Sequence, residues 1–175
     1  FGSDYHLGHK NLHKYREQVH TIESNYDFIG DNWAATKRDV VYLLGDICFE
    51  PESFKFLQKL SGIKRIVVGN HDWERFSVNM FDVAKTFDKV YGLKSHGSGD
   101  NKCWLSHCPI HETEMRGKRF NVHGHIHDES TNRYLATHPM YVNVNVDVIY
   151  PKYGKIMITM EEVCNIHNEK KNLSS

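Results

Sequence analysis

Five short blocks of histidine, aspartate and asparagine give this sequence its capacity for chemistry. The chain contains 13 histidines in 175 residues, and histidine is the commonest metal ligand in proteins. The blocks are, in chain order, Asp4 with His6, Gly45-Asp46, Gly69-Asn70-His71-Asp72, His107, and Gly124-His125-Ile126-His127. Because these residue types bind divalent metals and transfer protons, they predict a polar reaction site.

Each block follows a segment that the sequence predicts to be a β-strand. Apolar runs at 40–44, 66–68, 104–106 and 120–122 precede the last four blocks, and a short strand precedes Asp4. In α/β sheets, ligand sites collect beyond the carboxyl ends of strands. The five blocks are therefore predicted to meet in one site.

The donor types indicate what this site binds. Imidazoles, carboxylates and one carboxamide form a mixed nitrogen and oxygen set that suits borderline divalent ions. The set is too large for one ion, and Asp46 is our candidate for a carboxylate that bridges two ions about 3.5 to 4 Å apart. The four cysteines, which include no C-x-x-C pair, are interpreted as buried thiols outside the set.

The order of the blocks resembles that of the calcineurin-like metallophosphoesterases. D-x-H, G-D, G-N-H-D, a lone H and G-H-x-H occur in this order between residues 4 and 127. The segments 3–9, 105–107 and 143–147 also resemble the small single-domain branch from bacteria and bacteriophages. The resemblance implies a phosphoesterase with a binuclear metal centre.

The resemblance also implies a role for each matching residue. One ion would be held by Asp4, His6 and His127, and the other by Asn70, His107 and His125. Asp46 would bridge the two ions, of which Mn is favoured and Fe, Ni, Co, Zn and Mg are alternatives. His71 would act as electrophile or general acid, with Asp72 fixing its orientation.

We expect a metal-bridging hydroxide to attack phosphorus in a phosphodiester or phosphomonoester. The substrate class that the sequence favours is a nucleotide or a nucleic acid end. His9 and Arg116 are candidates for substrate contact, although an exposed basic loop is usually only solvated. For His123, two roles stay equally open: support of the metal-ligating side chains without direct ligation, and packing alone.

The pattern of elements, together with the resemblance, predicts an α/β (α+β) fold. We expect a four-layer sandwich of two mixed β-sheets flanked by helices, forming one domain over residues 1–175. A helix is predicted over 21–36, strands over 141–148 and 153–160, and a closing helix and polar tail over 161–175.

Composition excludes several classes of protein. The 22 basic and 22 acidic residues cancel, which argues against a stable complex with long nucleic acid. No apolar run approaches the roughly 20 residues of a membrane helix, and no signal peptide is expected, so we expect a cytoplasmic protein. Oligomeric state is left open. The competing hypotheses are a catalytically silent binding or scaffold module with this fold, and nucleic acid binding without catalysis.

Overall fold

Two β-sheets form the centre of the protein. The computed structural model describes residues 1–73 and 78–173. The strands are β1 Val40–Leu43, β2 Ile63–Val67, β3 Lys89–Tyr91, β4 Lys94–His96, β5 Cys103–Leu105, β6 Phe120–His123 and β7 Tyr141–Asn143. Strands β1-β2-β3 form a parallel sheet, and β4-β5-β6-β7 form a mixed sheet in which β4 is antiparallel to β5. The predicted sandwich of two sheets flanked by helices is confirmed, but the prediction of mixed pairing is wrong for the first sheet, whose strands are all parallel.

Six helices accompany the sheets in the described part of the chain. They are α1 Ile22–Asp31, α2 Pro51–Lys59, α3 Met80–Thr86, α4 Arg133–Thr137, α5 Val146–Tyr153 and α6 Met160–Leu173. Thr21 and Ser24 cap α1 reciprocally, and Pro51 occupies the first turn of α2, where its missing N–H costs nothing. None of these helices combines the length and apolar character that crossing a membrane requires.

Successive side chains of β1 lie alternately in two separate hydrophobic cores. Val41 and Leu43 pack with buried side chains of α1, α2 and α3, whereas Tyr42 and Leu44 pack with the buried residues of the second sheet. Ile149 and Val163 extend the second core into α5 and α6. Because both faces of β1 are packed in this way, the two sheets are held together and the loops that follow their strands are fixed in position.

Two strands that the sequence predicts are replaced in the structure. The strand predicted over 141–148 ends at Asn143, and α5 begins at Val146, because the Asn145 side chain accepts a hydrogen bond from Asp147 N at 2.8 Å and caps the helix. The segment predicted as a strand over 153–160 is a loop after Gly154, although Ile156 and Ile158 remain buried.

Several other boundaries differ from the prediction. Helix α1 ends at Asp31 instead of residue 36, since the chain turns there and Trp33 Nε1 donates to Ser61 O at 2.9 Å. Strand β4 was not predicted. The closing helix is confirmed, and residues 174–175 of the predicted tail lie outside the described residues.

The N-terminal segment connects the two sheets. Gly2 pairs with Leu43 at the end of β1, and Ser3 pairs with Asn145 beyond β7, in both cases in a parallel sense. Asp4 N and His6 N then donate to the carbonyl oxygens of Gly45 and Asp46 at 3.0 and 3.1 Å. The first block is thereby placed against the second.

Candidate metal centre

Loops at the ends of strands bring the predicted ligands together. Asp4 and His6 lie beside Asp46, which follows β1, and His107 follows β5 by two residues. His125 follows β6, and its backbone N–H donates to Asp4 Oδ2 at 2.9 Å. The juxtaposition expected from strand ends is therefore present in the structure.

Asp4, His6 and His127 form the first group of candidate ligands. His6 Nε2 and His127 Nε2 lie 3.7 and 3.5 Å from Asp4 Oδ1. Ligand atoms about 2.0 to 2.1 Å from a tetrahedral zinc ion lie about 3.4 Å apart, so these distances fit a shared ion. Asp4 Oδ1 and His6 Nε2 are buried without a hydrogen-bond partner in the described chain, which a cation would remedy.

The second group is centred on His107. Its Nδ1 donates to Leu44 O at 2.8 Å, so a neutral imidazole presents a lone pair at Nε2. Around that nitrogen lie Asn70 Oδ1 at 3.0 Å, His125 Nδ1 at 3.1 Å and Asp46 Oδ2 at 3.3 Å. Several electron-pair donors thus converge on a point where a cation would satisfy them.

Asp46 contacts both groups with the same oxygen. Its Oδ2 lies 3.9 Å from His6 Nε2 and 3.3 Å from His107 Nε2. Burial would raise the pKa of this carboxyl, but the adjacent His107 lowers it to about 2. Burial likewise opposes charge on His107, yet Asp46 and Asp4 raise its pKa to about 9. The space between these donor atoms, called the pocket below, therefore favours positive charge, as metal binding requires.

Four of these residues have a left-handed backbone. Asp4, His6, Asp46 and His125 have φ angles of 60°, 51°, 56° and 67°. This conformation costs a non-glycine residue about 1 to 2 kcal/mol. Such strain concentrates at functional sites, where the surrounding structure maintains it.

Arg16 and Asn25 maintain the strained segment, and sequence reasoning missed both. Arg16 Nη2 donates to Asp4 O at 2.8 Å, and Asn25 Nδ2 donates to the carbonyl oxygens of Tyr5 and His6 at 3.0 and 3.3 Å. Arg16 is 2% exposed. Its surroundings in sequence, Lys14 to Gln18, are polar and give no signal of this burial.

Asp147 was also missed as a supporting residue. Its Oδ2 lies 2.7 Å from His127 Nδ1, and its Oδ1 accepts from Arg16 Nε at 2.6 Å. Burial opposes the negative charge of Asp147, but the contacts with His127 and Arg16 lower its pKa to about 2. A carboxylate on the far nitrogen of a metal-binding histidine fixes its tautomer and ring orientation. Asp147 thus prepares His127 Nε2 to face Asp4.

Asp72 joins two of the loops. Its Oδ2 accepts from Gly69 N at 2.7 Å and Asp46 N at 2.9 Å, and its Oδ1 accepts from Ile47 N at 3.1 Å. Burial raises its pKa to about 6. These contacts assign Asp72 to loop positioning. Its predicted role in orienting the His71 ring stays a prediction.

His71 lies at the opening of the pocket. Its backbone N–H donates to Asp46 Oδ1 at 2.9 Å, and its Nε2 lies 3.9 Å from Asp46 Oδ2. The side chain is 30% exposed, and its ring contacts Phe49 with centroids 5.1 Å apart. A ring in this position borders both the ligand groups and solvent. Its catalytic role stays a prediction.

Two glycines allow the loops to approach each other. A Cβ on Gly45, which has φ +85°, would lie 2.6 Å from Gly69 Cα and from His107 Nδ1. A Cβ on Gly69 would lie 2.6 Å from Asp46 N. The glycines of the G-D and G-N-H-D blocks are therefore required by close backbone contact.

The two candidate substrate contacts differ in position. The His9 ring lies 5.9 Å from the His6 ring and 4.9 Å from Phe49, at the edge of the first ligand group. Arg116 is exposed and pairs with Glu114 at 2.7 Å. No contact in the described chain connects Arg116 with the ligand groups, and both assignments stay predictions.

His123 is buried beside the ligand groups, and the cysteines differ in exposure. His123 is 1% exposed, and its Nδ1 lies 2.8 Å from Gly124 O, which favours the packing role. Cys48 and Cys103 are buried as expected. Cys164 is only partly buried. Cys108 is exposed, so the interpretation as a buried thiol is wrong for it, because the loop after His107 faces solvent.

Comparisons with known proteins identify relatives and a fold. No protein-family model matches the sequence. The Gene 66 proteins of two Mycobacterium phages are 26% and 24% identical to it, and the first alignment covers 97% of this chain and 95% of the phage protein. The second covers 96% and 93%, respectively.

Solved structures give a further comparison. A protein of unknown function from Aquifex aeolicus superposes with a TM-score of 0.74 and 24% identity, over 95% of this chain and 97% of that chain. This likeness shows the fold. A novel archaeal phosphodiesterase superposes with a TM-score of 0.46 and 19% identity, over 83% and 80% of the two chains. That value is too low to support an inference about this chain.

Proposed function

We propose that this chain is a phosphoesterase that depends on two divalent metal ions. The position of Asp46 carries the proposal, because one carboxylate oxygen lies within 4 Å of His6 Nε2 and His107 Nε2, in two separate donor groups. Paired ions joined by a carboxylate are typical of enzymes that cleave phosphate esters. The order of the five blocks, which resembles the calcineurin-like metallophosphoesterases, supports the same reaction.

The donors present fit such ions. Asp4, His6 and His127 would hold one ion, Asn70, His107 and His125 the other, and Asp46 both. Nitrogen and oxygen donors accept Mn, Fe, Ni, Co and Zn, and we retain Mn as the first expectation, with Mg as a further alternative. When bound, two divalent ions supply Lewis-acid charge at phosphorus and a nucleophilic water at neutral pH.

The residues of the chain have separate tasks in this proposal. His71, at the opening of the pocket, would donate a proton to the leaving oxygen, for which a positioned imidazole contributes about 10² to 10⁴ in rate. Asp72 would keep the loops of Asp46 and His71 together through its backbone contacts. Arg16 would keep the Asp4 carbonyl, and thus the strained first loop, in place.

The exposure of the pocket bears on substrate class. The side chains of His71 and His127 are 30% and 39% exposed, so the ligand groups border solvent on one side. An open site favours a nucleotide or a nucleic acid end over a small enclosed metabolite. His9 and Arg116 are retained as proposed substrate contacts, with His9 favoured by its place beside His6.

An activity panel tests the proposal. The protein would be assayed with p-nitrophenyl phosphate, its bis ester, 2′,3′-cyclic nucleotides and dinucleoside polyphosphates in Mn, Ni and Mg. We expect turnover with at least one ester, and its loss in Asp46→Asn. As a matched control, Asp27→Asn changes an exposed aspartate of α1 and should retain full activity.

A catalytically silent scaffold is the alternative function. Loss of ligands would be expected in such a protein, whereas every ligand position of the resembled pattern is occupied here. Protein that binds two metal ions, yet cleaves none of the esters in the panel, would favour the scaffold over the enzyme.

A further inference from the structure

Cys108 lies beside the second group of candidate ligands, and the proposed function gives it no task. Its Sγ and one ring nitrogen each of His107 and His125 all lie within 4.8 Å of one another. The residue is exposed on the loop after β5. The Cys108 carbonyl accepts a hydrogen bond from Ser106 Oγ at 2.7 Å, which fixes the backbone that carries the thiol.

Independent observations indicate that a cation belongs at this position. His107 Nε2 faces Asn70 Oδ1 at 3.0 Å and Asp46 Oδ2 at 3.3 Å, while its other nitrogen is committed to Leu44 O. One carboxylate oxygen each of Asp4 and Asp46 and one ring nitrogen of His107 lie within 4.8 Å of one another. Asp4, which the proposed function assigns to the first ion, is fully buried, and its Oδ1 has no hydrogen-bond partner in the described chain. None of these observations involves the thiol.

We propose that Cys108 Sγ is a ligand of the second metal ion, beside His107 and His125. The inference rests on the proposed function, because it requires that ion to be bound. A thiolate is a soft ligand, and it favours Zn²⁺ and Co²⁺ over Mn²⁺ and Mg²⁺. Cys108 therefore biases the second site toward thiophilic ions, while Asp4, His6 and His127 form a sulfur-free first site.

The chemical step is a ligand exchange. The Cys108 S–H bond would break and its proton would pass to solvent, while the electron pair left on Sγ would form the bond to the metal and a water ligand of the hydrated ion would leave. No oxidant or reductant takes part. The ligand set predicted from the sequence contains only nitrogen and oxygen donors. This proposal adds one sulfur donor at the second site.

Cobalt spectroscopy tests the assignment without an activity assay. Wild type, Cys108→Ser and Cys164→Ser would be freed of metal, titrated with Co²⁺ and followed by absorption. A Co–thiolate bond produces a near-ultraviolet charge-transfer band, which nitrogen and oxygen ligands do not. Cys164 is the matched control, because it is a partly buried thiol on α6. Circular dichroism would check that each variant is folded.

We expect the band in wild type and Cys164→Ser and its loss in Cys108→Ser. We also expect Cys108→Ser to lose about tenfold in Zn²⁺ affinity and less than about twofold in Mn²⁺ affinity. Visible cobalt bands without the charge-transfer band in wild type would overturn the inference and leave the proposed function standing. Wild-type protein that binds no cobalt at all would overturn both.

Discussion

At the scale of single residues, His71 and the ligands make separable contributions. The His71 ring borders the pocket, whereas the ligand atoms of Asp4, His6 and His107 lie inside it. His71→Ala should therefore lower turnover by about 10² to 10⁴ while metal content stays nearly unchanged. Steady-state rates and elemental analysis of the same preparation would measure both.

Two variants calibrate that experiment. Asp46→Ala should lose the ions together with activity, and His20→Ala, which changes an exposed histidine, should lose neither. If His71→Ala loses both metals, His71 is required for metal binding, and the proton-donor role is wrong.

Asp147 allows a second prediction at this scale. Asp147→Asn removes the charge that contacts His127 Nδ1 and Arg16 Nε, so manganese affinity at the first site should fall about 10- to 100-fold. Titration calorimetry would measure the affinity. Asp88→Asn, which changes an exposed ion pair with Arg65, is the control and should bind normally. Unchanged affinity in Asp147→Asn would show that His127 needs no support.

The sequence revealed the ligands but not the residues that support them. Ligand blocks have recognisable types and spacing, and they follow strands. Arg16 and Asp147, in contrast, are 131 positions apart, and their ion pair forms only when the N-terminal loop meets the start of α5. Nothing in the sequence around such a charged residue indicates that it is buried.

At the scale of elements, Asp72 connects the loops that follow β1 and β2. Three backbone N–H groups donate to the charged carboxylate of Asp72. In Asp72→Asn these hydrogen bonds would be lost or weakened, because the NH₂ group of the amide cannot accept a hydrogen bond from a backbone N–H. We expect the free energy of unfolding to fall by about 3 kcal/mol at pH 8. Urea unfolding would measure it.

An exposed aspartate supplies the comparison for this variant. Asp100→Asn affects a surface pair with Arg119, and its free energy of unfolding should change by less than about 0.5 kcal/mol. Equal effects of the two substitutions would contradict a bracing role for Asp72.

Elements were predictable from periodicity where one pattern dominated. The apolar runs at 40–44 and 120–122 led to the correct assignment of β1 and β6. The alternation of Val142, Val144, Val146 and Val148 did not, since Val146 and Ile149 also lie on one buried helical face. The side-chain cap at Asn145 favours the helix over a strand. Alternation of apolar residues with a period of two does not reveal such a cap.

At the scale of the whole molecule, stability should depend on pH through His123. Burial lowers the pKa of this residue from 6.5 to about 4. Between these values the unfolded chain binds a proton that the folded chain does not, so stability decreases as pH falls from 6.5 to 4. The full effect is about 3 kcal/mol.

Urea unfolding in EDTA between pH 7 and pH 4 would measure this dependence, because EDTA removes the contribution of metal binding. His123→Gln should show a shallower loss of stability on acidification than wild type. The same slope in both proteins would show that His123 is not buried in its neutral form.

The fold as a whole followed from strand order and from the resemblance, and the Aquifex aeolicus structure supports it independently. Neutral net charge is compatible with the proposed phosphate-ester substrate, because two bound divalent ions would add local positive charge. The single domain, the cytoplasmic location and the absence of a stable nucleic acid complex stay predictions.

In the proposed enzyme, Asp46 joins two metal sites. Anomalous diffraction from crystals grown with manganese tests it most directly, because each bound ion gives a separate peak. We predict two peaks about 3.5 to 4 Å apart, on either side of Asp46 Oδ2, with His6 beside one and His107 beside the other. A single peak, or none between these residues at saturating manganese, would contradict the claim.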